Sequence, residues 1–261
     1  MILCNFYRNV FILFIYLFFF ISSFISSRLR HIPQSCSMNT NDYYGGTTIL
    51  AAEFDGGVVL GADTRTSCRT YVSNRTADKL TRITDHIYCC RSGSAAQTQT
   101  LAESVGSSLC GFQNVSNASC LVRDAAVQFR NKIYSTRKLL LASIIVAGWD
   151  RALGGQVYTV PISGLLVPER YAMAGSGSSY IQGFMAAHFK PGLNQEDAVD
   201  VVKRAIRLAI RQDCSSGGVI RIGIITADGM STSIYPKEDP DMHDKCTDSD
   251  LKIFGNDTFE T

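Results

Sequence analysis

At 261 residues and 46% hydrophobic, the chain can bury a sizeable core as one large domain or two small ones. Charged residues are only 18%, below the roughly 25% usual for soluble domains, as a subunit enclosed by neighbours would have. A net charge of +2 without a Lys/Arg stripe argues against a nucleic-acid partner, and nine scattered cysteines with no CxxC and no zinc-like His/Cys spacing argue against a disulfide framework or a metal.

In chain order, the first segment is apolar. Val10 to Phe24 follow Arg8 and are short for a bilayer span but of the right length for a signal-peptide core. Sequons at Asn74, Asn114, Asn117 and Asn256 are compatible with secretion, although such tripeptides arise readily by chance. A signal peptide, a removed pro-segment and an over-extended gene model all leave residues 1–46 outside the folded core. The cysteine usage favours a reducing compartment.

From Thr47 the pattern changes. TTILAAEF, a turn at Asp55-Gly56-Gly57, and VVLGADTR predict a β-hairpin, and HIYCCRSG (86–93) predicts a strand ending in a glycine turn. Within that strand Cys89 and Cys90 must point to opposite faces. Helical spacing follows over 95–113 and 121–135, with Ala125, Phe129 and Ile133 on one side. Runs 141–150, 156–164 and 171–177 predict strands buried on both faces. Helices are then predicted over 179–189 and 195–212. The second starts after Asn194 as N-cap and carries Ala198, Val201, Val202, Ala205 and Ala209 on one stripe. A strand over 218–229 closes the domain. Segregated runs of this kind predict an α+β fold, a four-layer αββα sandwich of two antiparallel sheets flanked by helices. The segment 236–261 has eight acidic residues against three lysines, a solvated tail or an arm for a neighbour.

The chemistry concentrates at Gly46-Thr47-Thr48. A threonine hydroxyl is a poor nucleophile without an adjacent base. Cleavage before Thr47 would create an α-amine on the same residue, and such an amine titrates near about 7.7–8.0, close to the working pH of a general base. Taken singly, Thr47, Asp63 and Lys79 are an ordinary strand, turn and surface residue; their joint order behind a Gly–Thr junction is what points to catalysis.

GTTILAAEFDGGVVLGADTRT, ADKLTRI, CCRSGSAAQTQTL, IIVAGWD, GSGSSYI and DCSSGGVIRI together resemble the catalytic beta subunits of the 20S proteasome, which are N-terminal-nucleophile hydrolases, from Thr47 to about Ile234. The likeness is closest to the caspase-like members. It implies cleavage of Gly46–Thr47 during assembly, which divides the chain into a leader (1–46) and a catalytic domain (47–235), whereas the apolar character of the leader and the acidic tail (236–261) depart from the family's pattern. It also implies that Thr47 attacks the substrate carbonyl while Asp63 orients Lys79 beside the hydroxyl, with Gly93 N–H as oxyanion donor and Ser176, Asp213 and Ser216 around the new N-terminus. Arg91 would line an acid-selective pocket, Ser67 and Arg65 would lie on the edge where substrate adds as a strand, and Ala77 would widen that pocket where relatives often carry threonine. Cys214 stands where glycine is common. The implied substrates are unfolded polypeptides, and the implied partners are other proteasome alpha and beta subunits in stacked seven-membered rings. No cofactor, nucleic acid or membrane is implied for the mature form, in cytoplasm and nucleus. A non-catalytic structural beta subunit is disfavoured by the joint presence of Thr47, Asp63, Lys79 and Gly93. A secreted glycoprotein would instead carry glycans and paired cysteines.

Overall fold

The computed structural model describes residues 46–68, 71–116 and 119–236. The apolar leader, the acidic tail beyond Pro236, and the sequons at Asn114, Asn117 and Asn256 lie outside the described residues or side chains.

Strand β1 (Ile49–Phe54) turns at Asp55-Gly56 into β2 (Gly57–Asp63), and every residue of β2 is buried. Two short strands, β3 (Thr66–Cys68) and β4 (Tyr71–Asn74), form a small ribbon of their own. After β5 (Leu80–Arg82) and β6 (Ile87–Gly93) come two helices, α1 (Ala95–Ser116) and α2 (Val122–Thr136). The chain then runs through β7 (Ala142–Asp150), β8 (Gly154–Val160), β9 (Val167–Glu169) and β10 (Tyr171–Ala174). Helices α3 (Ser178–His188) and α4 (Gln195–Gln212) precede the final hairpin of β11 (Ile220–Thr226) and β12 (Gly229–Tyr235).

The strands form two five-stranded antiparallel sheets, ordered β10-β1-β2-β11-β12 and β5-β6-β7-β8-β9. Their facing sides share one core, in which Ile49, Leu60 and Ala62 of the first sheet meet Leu80, Cys90 and Ile145 of the second. On the outer side of the first sheet, Leu50 and Val59 pack with Phe184 and Met185 of α3 and Val202 and Ile206 of α4. On the outer side of the second, Cys89, Ile144 and Val146 pack with Val105 of α1 and Phe129 and Ile133 of α2. These are the four layers of the predicted αββα sandwich. Cys89 and Cys90 do point to opposite sides of β6, one into each core.

The boundaries differ where local chemistry decides them. β8 begins at Gly154 and stops at Val160, because Pro161 has no N–H to give the ladder. The last predicted strand is in fact a hairpin, since GMSTSIY (229–235) pairs with β11 as a largely exposed edge strand with no apolar alternation to announce it. Asn194 caps α4 as expected, its side-chain oxygen accepting the Asp197 N–H at 2.8 Å.

Candidate active site

One end of the sandwich gathers the residues just before β1 and just after β2, the entry to β5, the end of β6, the Gly175–Gly177 turn and the Asp213–Gly218 turn. Within the first sheet Ile49 pairs with both Ala62 and Ala174, and Asp63 pairs with Ile220, so β1, β2, β10 and β11 share one end, and Lys79, just before β5 of the second sheet, reaches it through Asp63. The loops that leave these strands therefore converge.

Thr47 sits there with its side chain almost wholly buried. Its hydroxyl donates to the Gly46 carbonyl oxygen at 2.7 Å, the carbonyl of the very peptide bond that masks its amine. Gly46 fits only as glycine, since a Cβ would lie 1.8 Å from the Ser215 carbonyl oxygen. The same Gly46 oxygen accepts the Lys79 ammonium at 3.3 Å. Nζ also donates to Asp63 Oδ1 at 2.5 Å and to the Arg65 carbonyl at 2.7 Å. Three acceptors around one nitrogen that can only donate call for three protons, the cationic form. Burial pushes the lysine's pKa below its ordinary value, and the Asp63 charge and hydrogen bond oppose that shift.

Asp63 is fully buried yet well satisfied. Besides Lys79, it accepts the N–H groups of Thr48 (2.8 Å), Gly217 (3.0 Å) and Arg65 (3.3 Å). A second carboxylate, Asp213, stands on the other side of Thr47. Its Oδ2 accepts the hydroxyls of Ser216 (2.6 Å) and Ser176 (2.7 Å), and its Oδ1 accepts the Ser215 N–H (2.9 Å). Burial raises its pKa, but these three bonds and the nearby Arg65 charge outweigh that and hold it below the usual value. Ser176 in turn accepts the Thr47 N–H at 3.2 Å. Thr47, Asp63, Lys79, Ser176, Asp213 and Ser216 thus form one bonded network, although the outermost two lie 169 positions apart.

The other expected residues are near but differently engaged. Gly93 ends β6 at φ +114°, and a Cβ there would lie 2.1 Å from the Leu141 carbonyl oxygen, so the position demands glycine. Arg91, two residues earlier, donates its backbone N–H to the Lys79 carbonyl at 3.0 Å. Its guanidinium is braced by Thr81 Oγ1 (2.7 Å) and the Asp78 carbonyl (2.8 Å), with longer bonds to Ala95 and Thr98. The half-buried Ala77 hydrogen-bonds through its N–H to the Thr64 carbonyl at 2.9 Å. Ser67 lies on β3, which pairs with β4 alone among the described residues, so its other edge is open.

Arg65 departs from the expected open substrate edge. Its carbonyl holds Lys79, its N–H bonds the Gly217 carbonyl at 3.0 Å, and its guanidinium bonds the Ser215 carbonyl at 3.2 Å and the Cys214 carbonyl. Arg65 fastens the 213–217 turn onto the end of β2 instead. Thr48, which strand propensity alone would explain, is wholly buried and bonds to both carboxylate arms.

Buried Cys89 is pushed up to about 12 and Cys90 well above its usual value, so neither thiol competes as nucleophile. Among the described residues no three His, Cys, Asp or Glu side chains converge to hold a metal ion, and no helix is long and apolar enough to cross a membrane.

The chain is similar to proteins of one family. The family model described as "Proteasome subunit" matches residues 43–225. "Proteasome subunit beta type-6" of Dictyostelium discoideum is 42% identical over 198 residues, covering 73% of this chain and 89% of that protein. "Proteasome subunit beta type-1" of Saccharomyces cerevisiae is 44% identical over 194 residues, 74% and 90% of the two chains. "Proteasome subunit beta type-9" of Rattus norvegicus is 44% identical over 198 residues, 76% and 90%.

Proposed function

The chain belongs to the proteasome subunit family, a component of the 20S core that assembles with other alpha and beta subunits, and we propose that it is a catalytically active threonine endopeptidase of that core. Residues 1–46 are the leader removed on maturation, 47–235 the catalytic domain and 236–261 an accessory tail. The mature subunit acts on unfolded polypeptides in cytoplasm and nucleus.

The observation that carries this reading is the shared acceptor. The Gly46 carbonyl is touched at once by the Thr47 hydroxyl (2.7 Å) and by the Lys79 ammonium (3.3 Å), with Asp63 fixed behind Lys79 at 2.5 Å. In maturation Thr47 Oγ1 attacks the Gly46 carbonyl carbon, its proton passing to the departing Thr47 nitrogen. The acyl group moves from that nitrogen to the oxygen. Water then cleaves the ester, leaving a carboxylate on Gly46 and a free amine on Thr47. The Lys79 N–H that had bonded the departed carbonyl is thereby released beside the new nucleophile.

In peptide hydrolysis the neutral Thr47 amine accepts the hydroxyl proton as Oγ1 attacks the substrate carbonyl. The Gly93 N–H bonds the developing oxyanion, a donor of a kind whose loss typically costs about 10²–10³ in rate. The amine's proton goes to the leaving nitrogen, and water, activated by the same amine, hydrolyses the acyl-enzyme. Arg91 receives an acidic side chain ahead of the cut, giving caspase-like preference, with its guanidinium already braced.

The test is a particle purified with Thr47→Ala in this subunit alone. Cleavage after acidic residues should fall to the background of the other subunits, and the Gly46–Thr47 bond should stay intact. Retention of full acidic-site activity would refute the assignment.

A further inference from the structure

We propose that Thr48 is a positioning residue for the reaction, tying the Asp63–Lys79 arm to the Asp213–Ser216 arm through the residue bonded to the nucleophile; this rests on the catalytic reading above. Thr48 is completely buried. Its N–H donates to Asp63 Oδ1 at 2.8 Å, and its carbonyl accepts the Asp63 N–H at 3.1 Å. Its hydroxyl lies 2.8 Å from Ser216 Oγ.

The direction of that last bond follows from counting protons. Asp213, held below its usual pKa by its partners, is ionised and only accepts. Ser216 has one hydroxyl proton, and it goes to Asp213 Oδ2 at 2.6 Å. Ser216 Oγ can therefore only accept from Thr48, whose hydroxyl is the donor. By the same logic Ser176, whose proton goes to Asp213 at 2.7 Å, accepts from the Thr47 nitrogen at 3.2 Å. Two consecutive residues thus send parallel chains into one carboxylate oxygen, from the Thr47 nitrogen through Ser176 and from the Thr48 hydroxyl through Ser216.

Scission gives this arrangement its use. Before it, Thr47 is anchored covalently on both sides. Afterwards its only covalent anchor is Thr48, so the placement of Oγ1 relative to Lys79, and of the amine relative to Ser176, depends on how firmly Thr48 is held. Small misplacements of reacting groups are known to be costly, up to about 10²-fold for roughly 1 Å.

The experiment compares Thr48→Val, Thr48→Ser, Ser216→Ala and the Thr48→Val/Ser216→Ala double variant in purified particles, with Thr47→Ala as control. Thr48→Val is expected to lower kcat for acidic-site cleavage about tenfold with KM unchanged, and Thr48→Ser to restore it to within about twofold. Ser216→Ala removes the acceptor, and the double variant should be no slower than the slower single one. Unchanged kcat in Thr48→Val, or additive losses in the double variant, would overturn the proposal while Thr47→Ala still abolishes activity. Should Thr48→Val fail to assemble, kcat in Ser216→Ala and Thr48→Ser decides: a Ser216→Ala particle as fast as the unsubstituted one overturns it. Activity surviving in Thr47→Ala would instead refute the catalytic reading itself.

Discussion

Arg91 carries more commitments than a strand-end surface charge would. Four hydrogen bonds hold its guanidinium over the start of β5 and α1, so little side-chain freedom is left to lose on meeting a carboxylate. A charge-assisted bond of this type is worth about 1.5–3 kcal/mol. Arg91→Ala should therefore lower kcat/KM for peptides cut after Asp or Glu by roughly 10–100-fold, while peptides cut after apolar residues lose little. Fluorogenic peptides of both types on one particle would show it, and an equal loss for both would refute the pocket assignment. Asp213 makes a prediction in pH. Its pKa is depressed in the folded chain, so its contribution is fully present above the ordinary carboxylate range and is lost as pH falls through the depressed value. Asp213→Asn should accordingly flatten the acid limb of the particle's stability profile between those two values, read from melting temperature against pH; an unaltered limb would contradict it. At this scale Thr47, Asp63 and Lys79 were legible from order and resemblance. The work of Arg65 and Thr48 was not, because their partners, the Ser215 carbonyl and Ser216 Oγ, come 150 and 168 positions later and local pattern carries no trace of them.

Elements were legible in proportion to their burial. β7 reads as a continuous apolar run because it has a core on each side, and α4 reads as a stripe through Ala198, Val201, Val202, Ala205 and Ala209 in the outer core of the first sheet, although from Ala205 to Ile210 every residue is buried. The strands without a signal of their own are short or solvent-facing: β3 and β4 form a detached ribbon, β5 and β9 are three-residue edges, and β12 is exposed through its polar middle, Ser231 to Ser233. Their pairing partners, rather than their own composition, make them strands. The start of α4 is a local device and was legible for that reason. Asn194→Ala should destabilise the subunit by about 1 kcal/mol, and Asn194→Gly by only a few tenths. Thermal unfolding of the particle would give that order, and equal effects of the two substitutions would show that the cap bond is not what starts the helix.

At the scale of the whole molecule, two sheets face each other so that the loops at one end close around Thr47, and the outer helices complete the burial of both sheets. The order of strand and helix runs was enough to deduce this layering, since each sheet must cover two apolar faces and the helices are amphipathic. The convergence of the loops was not deducible from pattern. It depends on which strands are neighbours, and β2 lies between β1 and β11 although the last of these comes some 157 residues after it. On the proposed mechanism the same closure keeps an uncut chain silent. The amine that would serve as base is tied up in the peptide bond whose carbonyl the Thr47 hydroxyl and the Lys79 ammonium both hold. Sequencing the N-terminus of this chain in the purified core particle reports directly on that masking. A terminus at Thr47 is expected, and a chain that still carries residues before Thr47, or is cut at another bond, would deprive the hydroxyl of its base and contradict the mechanism.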